Sequence, residues 1–269
     1  MPHVRAGTRQ VYYEIHGEGA GVPLLLVMGM GGSCRGWLPL QVPELSRDRR
    51  TVIYDHRGVG GSDDPGGPFS TAELADDAAE LLGALAIERA DVLGVFMGGM
   101  VGQELAIRHP ERVSRLALTG TYARPDAKRR MLLEHWRDLA RGGAAIEVLV
   151  RERLLWTLLD ETLEQTDLIR SMIDFFERDG LPLTADVFAR QCEACLGHDT
   201  TDRLDQIRSQ TLVICGERDQ LTPPSLHRKL ADGIRGAQMV CLGSGAHMVM
   251  VEAAEHFNRI VRQFLDDDH

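Results

Sequence analysis

Residues 90–110 constrain the fold more than any other stretch of the chain. Ala90-Asp91-Val92-Leu93-Gly94-Val95 reads as a short buried strand, and residues 100–109, closed by Pro110, read as a helix. Between them, Gly94-Val95-Phe96-Met97-Gly98-Gly99 sets three glycines around one bulky residue. A strand that turns sharply into a helix needs glycine where the two backbones meet, because a β-carbon has no room there. The residue at the apex of such a turn is expected at positive φ, where a large side chain costs about 1–3 kcal/mol. This is the outline of a nucleophile elbow. The residue at the nucleophile position is phenylalanine, which cannot attack anything. From this segment alone, a plain strand-to-helix turn with packing glycines is the alternative.

The remaining segments repeat the alternation of strand and helix. Residues 11–16 and those before Gly7 predict an opening hairpin, and further strands are expected at 23–28, 51–54, 115–119, 211–215 and 238–242. The clearest helix spans 71–86, with Ser70 or Thr71 as its cap and Leu74, Ala78, Leu81, Leu82 and Leu85 on its apolar face. Such alternation indicates an α/β fold, a mostly parallel eight-stranded sheet with helices on both faces. Ligands of these sheets gather at the carboxyl ends of the strands.

Residues 122–210 break the pattern, showing only helical periodicity. They are expected to form a helical lid inserted after the sixth strand, dividing the core into residues 1–121 and 211–269. Met131, Leu132, Trp136, Leu154, Trp156, Leu158, Leu159, Met172, Phe175 and Phe176 are its large apolar residues. Most are expected to form the lid's own core and a minority to line an apolar pocket.

Composition excludes several classes. A net charge of −10 over 269 residues argues against a nucleic-acid partner. The longest apolar run, 22–28, is far too short to span a bilayer, so a cytoplasmic protein without membrane attachment is expected. Five scattered cysteines give no disulfide framework. Cys192 and Cys195, with His198 nearby, lack the second ligand pair of a zinc site and read as buried small hydrophobes, as do Cys215 and Cys241. No dinucleotide fingerprint or phosphate loop occurs, so no metal or organic cofactor is expected. The expected partner is a hydrophobic small molecule, bound by a monomer or homodimer.

Two further segments align with the turn at 94–99. Gly216-Glu217-Arg218-Asp219 follows a predicted strand and puts Asp219 in a turn at the carboxyl edge; Gly243-Ser244-Gly245-Ala246-His247 puts a histidine in a glycine-rich loop after the last strand. A carboxylate at one strand end can accept the Nδ1 proton of a histidine at the next. Taken singly, each is equally a turn aspartate and a surface histidine. The chain order of elbow, acid and histidine gives the two together their meaning.

On these residues the chain resembles the α/β-hydrolase superfamily along almost its whole length, particularly esterases, enol-lactonases and polyketide methylesterases of the aclacinomycin methylesterase kind. Val27-Met28-Gly29-Met30-Gly31-Gly32 and Tyr54-Asp55-His56-Arg57-Gly58-Val59-Gly60-Gly61-Ser62-Asp63 carry the likeness, with the elbow, residues 216–223 and residues 245–252. The resemblance implies Asp219 as the acid, His247 as the general base and the backbone N–H groups of Met30 and Met97 as an oxyanion hole. Candidate substrate contacts are Gly29 and Cys34 in the oxyanion loop, Tyr122 at a strand exit, Trp136 and Trp156 in the insertion, and Met248 beside the histidine.

The chain departs from the family at Met28, where a histidine is common, and at Phe96, where serine is expected. Without an Oγ there is no acyl-enzyme, and loss of a triad nucleophile removes about six orders of magnitude in kcat. Ser33, Cys34 and Ser244 lie nearby, but none occupies an elbow. Four readings follow. His247 acts directly as a base on a hydrophobic, polyketide-like or other specialised metabolite; the protein binds a ligand without chemistry; the chain is a serine esterase or lactonase whose nucleophile has been exchanged for Phe96; or it is a decayed paralogue. The intact Asp219 and His247 pair favours the first.

Overall fold

Eight strands form one sheet in the computed structural model, which describes residues 2–176 and 183–266. They are β1 (His3–Ala6), β2 (Arg9–Ala20), β3 (Leu24–Val27), β4 (Arg49–Tyr54), β5 (Ala90–Val95), β6 (Val113–Thr119), β7 (Gln210–Gly216) and β8 (Gln238–Leu242). Their order across the sheet is β1-β2-β4-β3-β5-β6-β7-β8; β2 runs antiparallel to β1 and β4, and every pairing beyond is parallel. Every residue of β3 and β5 is buried, as expected of central strands covered on both faces. At the far edge, β8 is only partly covered. Cys241 is therefore exposed, contrary to the expectation from sequence, while Cys192, Cys195 and Cys215 are buried.

Helices α1 (Val42–Leu45), α2 (Thr71–Ala84) and α3 (Met97–Arg108) connect the first strands. In α2, Ser70 and Glu73 form a reciprocal capping box, and the helix ends two residues earlier than its apolar pattern suggests, with Ala86 at φ 53°. The helix after the elbow begins at Met97, three residues earlier than its periodicity indicates, because the turn takes a single residue and both following glycines join the helix.

Between β6 and β7 the chain leaves the sheet through α4 (Ala127–Arg141), α5 (Ile146–Thr157), α6 (Asp160–Leu163), α7 (Thr166–Asp174) and α8 (Ala185–Leu196). The fold closes with α9 (Pro224–Gly233), α10 (Val249–Glu252) and α11 (Ala254–Asp266). No helix among the described residues is long and apolar enough to cross a membrane.

Three buried histidines brace the loops at the carboxyl edge. His56 Nε2 donates to the Met28 carbonyl at 2.9 Å, His198 Nδ1 meets Thr71 Oγ1 at 2.9 Å, and His227 Nε2 accepts the Thr121 N–H at 3.2 Å. Burial lowers all three, His198 to about 3 and His227 to about 4, so each is neutral in the fold. An unfolded histidine protonates near pH 6.5, so below that pH the unfolded chain binds more protons than the native one and stability falls. Each such histidine contributes about 1.4 kcal/mol per pH unit over the window between its unfolded and folded values. The urea midpoint is expected to hold above pH 7 and drop steadily from pH 6.5 to 5. A midpoint independent of pH in that range would show that these groups are not neutral in the fold.

Candidate active site

Phe96 stands at the end of β5 with φ 47° and ψ −110°. Its N–H donates to Thr119 O at 3.0 Å, and its carbonyl accepts from Thr121 Oγ1 at 2.8 Å and from Met100 N at 3.1 Å. The apex is thus clamped between β6 and α3. The flanking glycines have the role that the sequence suggested: a β-carbon on Gly99 would lie 2.7 Å from Thr121 Cβ, and one on Gly94 or Gly98 would strike opposing backbone. The positive φ separates this turn from an ordinary strand-to-helix connection.

The Phe96 ring is buried and meets two neighbours edge to face, Tyr122 at 6.0 Å and His247 at 5.4 Å, both at 80°. Burying a phenylalanine contributes about 1.5–3 kcal/mol, enough to offset the backbone strain of its φ. Because the two rings are nearly perpendicular, Phe96 is not stacked flat over the imidazole.

His247 follows β8 and packs on Gly120, whose φ is +56° and whose β-carbon would lie 2.8 Å from the imidazole Cε1. Glycine is required there twice, for the backbone angle and for the ring. Nδ1–H is shared between Asp219 Oδ2 and Thr222 Oγ1, both at 3.0 Å. Thr222 in turn donates its hydroxyl to Asp219 Oδ2 at 2.6 Å and its N–H to Oδ1 at 2.7 Å. Burial pushes the Asp219 carboxyl up, but the imidazole and the two Thr222 donors outweigh it and hold the group below the usual carboxylate range. With Nδ1 protonated, Nε2 carries the lone pair, and no described residue engages it. Thr222 had no signal in the sequence beyond its place in the same turn.

Glu252 is a second group that sequence reasoning did not assign a role. Its carboxylate accepts from Ala246 N, Leu159 N and Thr162 Oγ1, each at 2.7 Å. It therefore ties the histidine loop to the start of α6. The Met248 N–H adds a bond to Thr157 O at 3.0 Å.

The N–H groups of Met30 and Met97 are both without a hydrogen-bond partner among the described residues. Met97 is the first residue of α3, whose leading N–H groups have no intrahelical acceptor. Met30 lies in a loop whose next residue is fixed by Gln191, which accepts the Gly31 N–H at 2.8 Å. A β-carbon on Gly29 would lie 3.5 Å from Phe96 Cβ, so this loop passes directly beside the apex.

Met30, Phe96 and His247 border a cavity of about 130 Å³ between the insertion and the carboxyl edge of the sheet, whereas Met97 is not among its lining residues. Phe96, His247 and the expected contacts Gly29, Trp136 and Met248 line it, together with Leu154, Phe175 and Phe176 of the insertion. Cys34, Tyr122 and Trp156 do not. Cys34 is wholly buried, its N–H donates to Asp55 Oδ1 at 2.8 Å, and burial beside that carboxylate pushes its thiol far up, which removes it as a substitute nucleophile. Tyr122 is buried behind Phe96, and Trp156 faces Lys128, whose Nζ lies 5.0 Å from its ring. A larger open groove of about 990 Å³ runs between α1 and α11, but none of the groups above borders it.

The α/β-hydrolase fold model matches residues 22–254. The chain belongs to the α/β-hydrolase family. Among its relatives, a protein of Azorhizobium caulinodans named "Putative carbamate hydrolase RutD" is 34% identical over 98% of both chains. An enol-lactonase from Burkholderia xenovorans superposes with a TM-score of 0.90 at 31% identity, covering 99% of this chain and all of the other. A hydrolase from Pseudomonas aeruginosa follows at 0.88 and 30%, with 98% of each chain covered. In this member of the family the turn from β5 into α3 has a buried phenylalanine at its positive-φ apex.

Replacing Phe96 with serine tests whether the rest of the site is in working order. Phe96→Ser is expected to cost about 3 kcal/mol of stability through the lost packing. It is also expected to yield hydrolysis of short p-nitrophenyl esters that the parent chain lacks. Absence of ester hydrolysis in the folded variant would show that His247 and the oxyanion donors no longer address a common point.

Proposed function

We propose that this α/β-hydrolase-family enzyme acts on a hydrophobic small carbonyl compound, polyketide-like or another specialised metabolite, without an acyl-enzyme. His247, oriented by Asp219, is the general base. The observation that carries this reading is the imidazole itself: Nδ1 is committed to Asp219 and Thr222, while Nε2 is left with its lone pair beside the cavity. Pure binding gives no use for an imidazole aligned in this way.

In the proposed reaction Nε2 takes a proton from a carbon next to the substrate carbonyl, or from a water that attacks it. The charge that develops on the carbonyl oxygen is met by the N–H groups of Met30 and Met97. Imidazolium beside Asp219 is stabilised, and it returns the proton to the enolate or to the leaving group. Phe96 occupies the nucleophile's place as an apolar wall, which suits proton transfer and prevents covalent capture. The names of the relatives, a carbamate hydrolase and an enol-lactonase, also point to small carbonyl compounds. The helices between β6 and β7 serve as the lid over the substrate.

A second reading, a serine esterase or lactonase whose nucleophile has been exchanged for Phe96, is favoured by the retained elbow angle of φ 47°.

Base catalysis is measurable before the natural substrate is known. Exchange of the α-protons of 4-phenyl-2-butanone into deuterated buffer, followed by NMR, is expected to be accelerated by the parent chain. In His247→Ala the rate should fall by about 10²–10⁴-fold, the usual contribution of a positioned base. Equal exchange in the two proteins would remove His247 from the base role.

A further inference from the structure

Arg153, on α5, is the one described arginine or lysine that lines the cavity, and no described carboxylate pairs with it. Its guanidinium donates from Nη1 to Gly31 O at 3.1 Å and stacks on Phe176 and Phe188 at 5.1 and 5.6 Å. Other arginines withdrawn from solvent are neutralised: Arg57 by Asp77, Arg190 by Asp64, and Arg49 by Asp91. Burial lowers Arg153 only to about 10, so the group stays cationic at neutral pH. The two aromatic faces hold the plane of the guanidinium but do not use its N–H edges, and the Gly31 carbonyl takes one donor of five.

A half-buried cation without a counter-ion is costly, and a planar fork of donors is shaped for a carboxylate. Arg153 also grips the residue that follows Met30, so the charge lies next to the loop that carries one of the candidate oxyanion donors. We propose that Arg153 binds a carboxylate borne by the substrate, making the ligand of this cavity an anionic carbonyl compound with its carboxylate toward α5 and its carbonyl toward Met30 and Met97. This rests on the reading of the cavity as the substrate site, but it requires no turnover to be tested.

The probes are 4-phenylbutanoate and its neutral counterpart 4-phenylbutanamide, titrated calorimetrically into the full chain at neutral pH. The parent is expected to bind the carboxylate about 10- to 100-fold more tightly than the amide, the usual worth of a charge-assisted pair. Arg153→Met should abolish that preference and leave affinity for the amide unchanged, whereas Arg153→Lys should keep part of it. Should the methionine variant fail to fold, the lysine variant and the parent's own selectivity still decide the matter. Equal affinities in the parent, or an undiminished preference in Arg153→Met, would overturn the proposal. His247→Ala separates the two readings: intact carboxylate selectivity with unchanged proton exchange would remove the base and retain the anion site.

Discussion

Everything at the carboxyl edge depends on the clamp around Phe96. Its backbone is held at positive φ by bonds to Thr119, Thr121 and Met100, and the approach of β5, β6 and α3 is possible only because three positions lack β-carbons. That geometry brings the apex side chain against His247 and leaves the Met97 N–H without a partner among the described residues. The clamp is independent of what the side chain can do. Its bonds are to the backbone alone, so it holds whichever side chain stands at the apex.

The aromatic substitution changes how the site is stabilised. A serine at this position would be held at its strained angle by the backbone clamp alone. Phenylalanine adds packing against Tyr122 and the imidazole, so the apex becomes part of the hydrophobic core. The histidine then has two supports of different kinds: a polar one through Asp219 and Thr222, and an apolar one through the Phe96 edge and Gly120. The polar support fixes the tautomer, and the apolar support fixes the plane of the ring.

How much of this could be read from the sequence depended on whether a residue's role is local. The elbow, Asp219 and His247 follow strand ends in short glycine-containing segments, so chain order alone brought them to one edge. The eight strands were evident for the same reason, their apolar runs being separated by helical periods. The cavity wall was not local. Trp136 and Trp156 are alike in sequence, yet only Trp136 faces the cavity, because facing is set by how α4 and α5 sit on each other. Arg153 had no signal in the sequence, and Cys241 reads as core, since sequence pattern does not reveal an edge strand. Thr222 and Glu252 escaped notice because His247, which Thr222 meets, and Leu159 and Thr162, which Glu252 binds, lie 25 and 90 residues or more away.

The triple acceptor role of Glu252 has a mechanical meaning. One carboxylate joins the loop that carries His247 to the start of α6, between the cavity-lining residues Thr157 and Phe175, so loop and helix are held to each other. A displacement of α6 would therefore pull on Ala246, the residue next to the imidazole. The position of the imidazole and the position of that end of the insertion are thus set by one shared carboxylate.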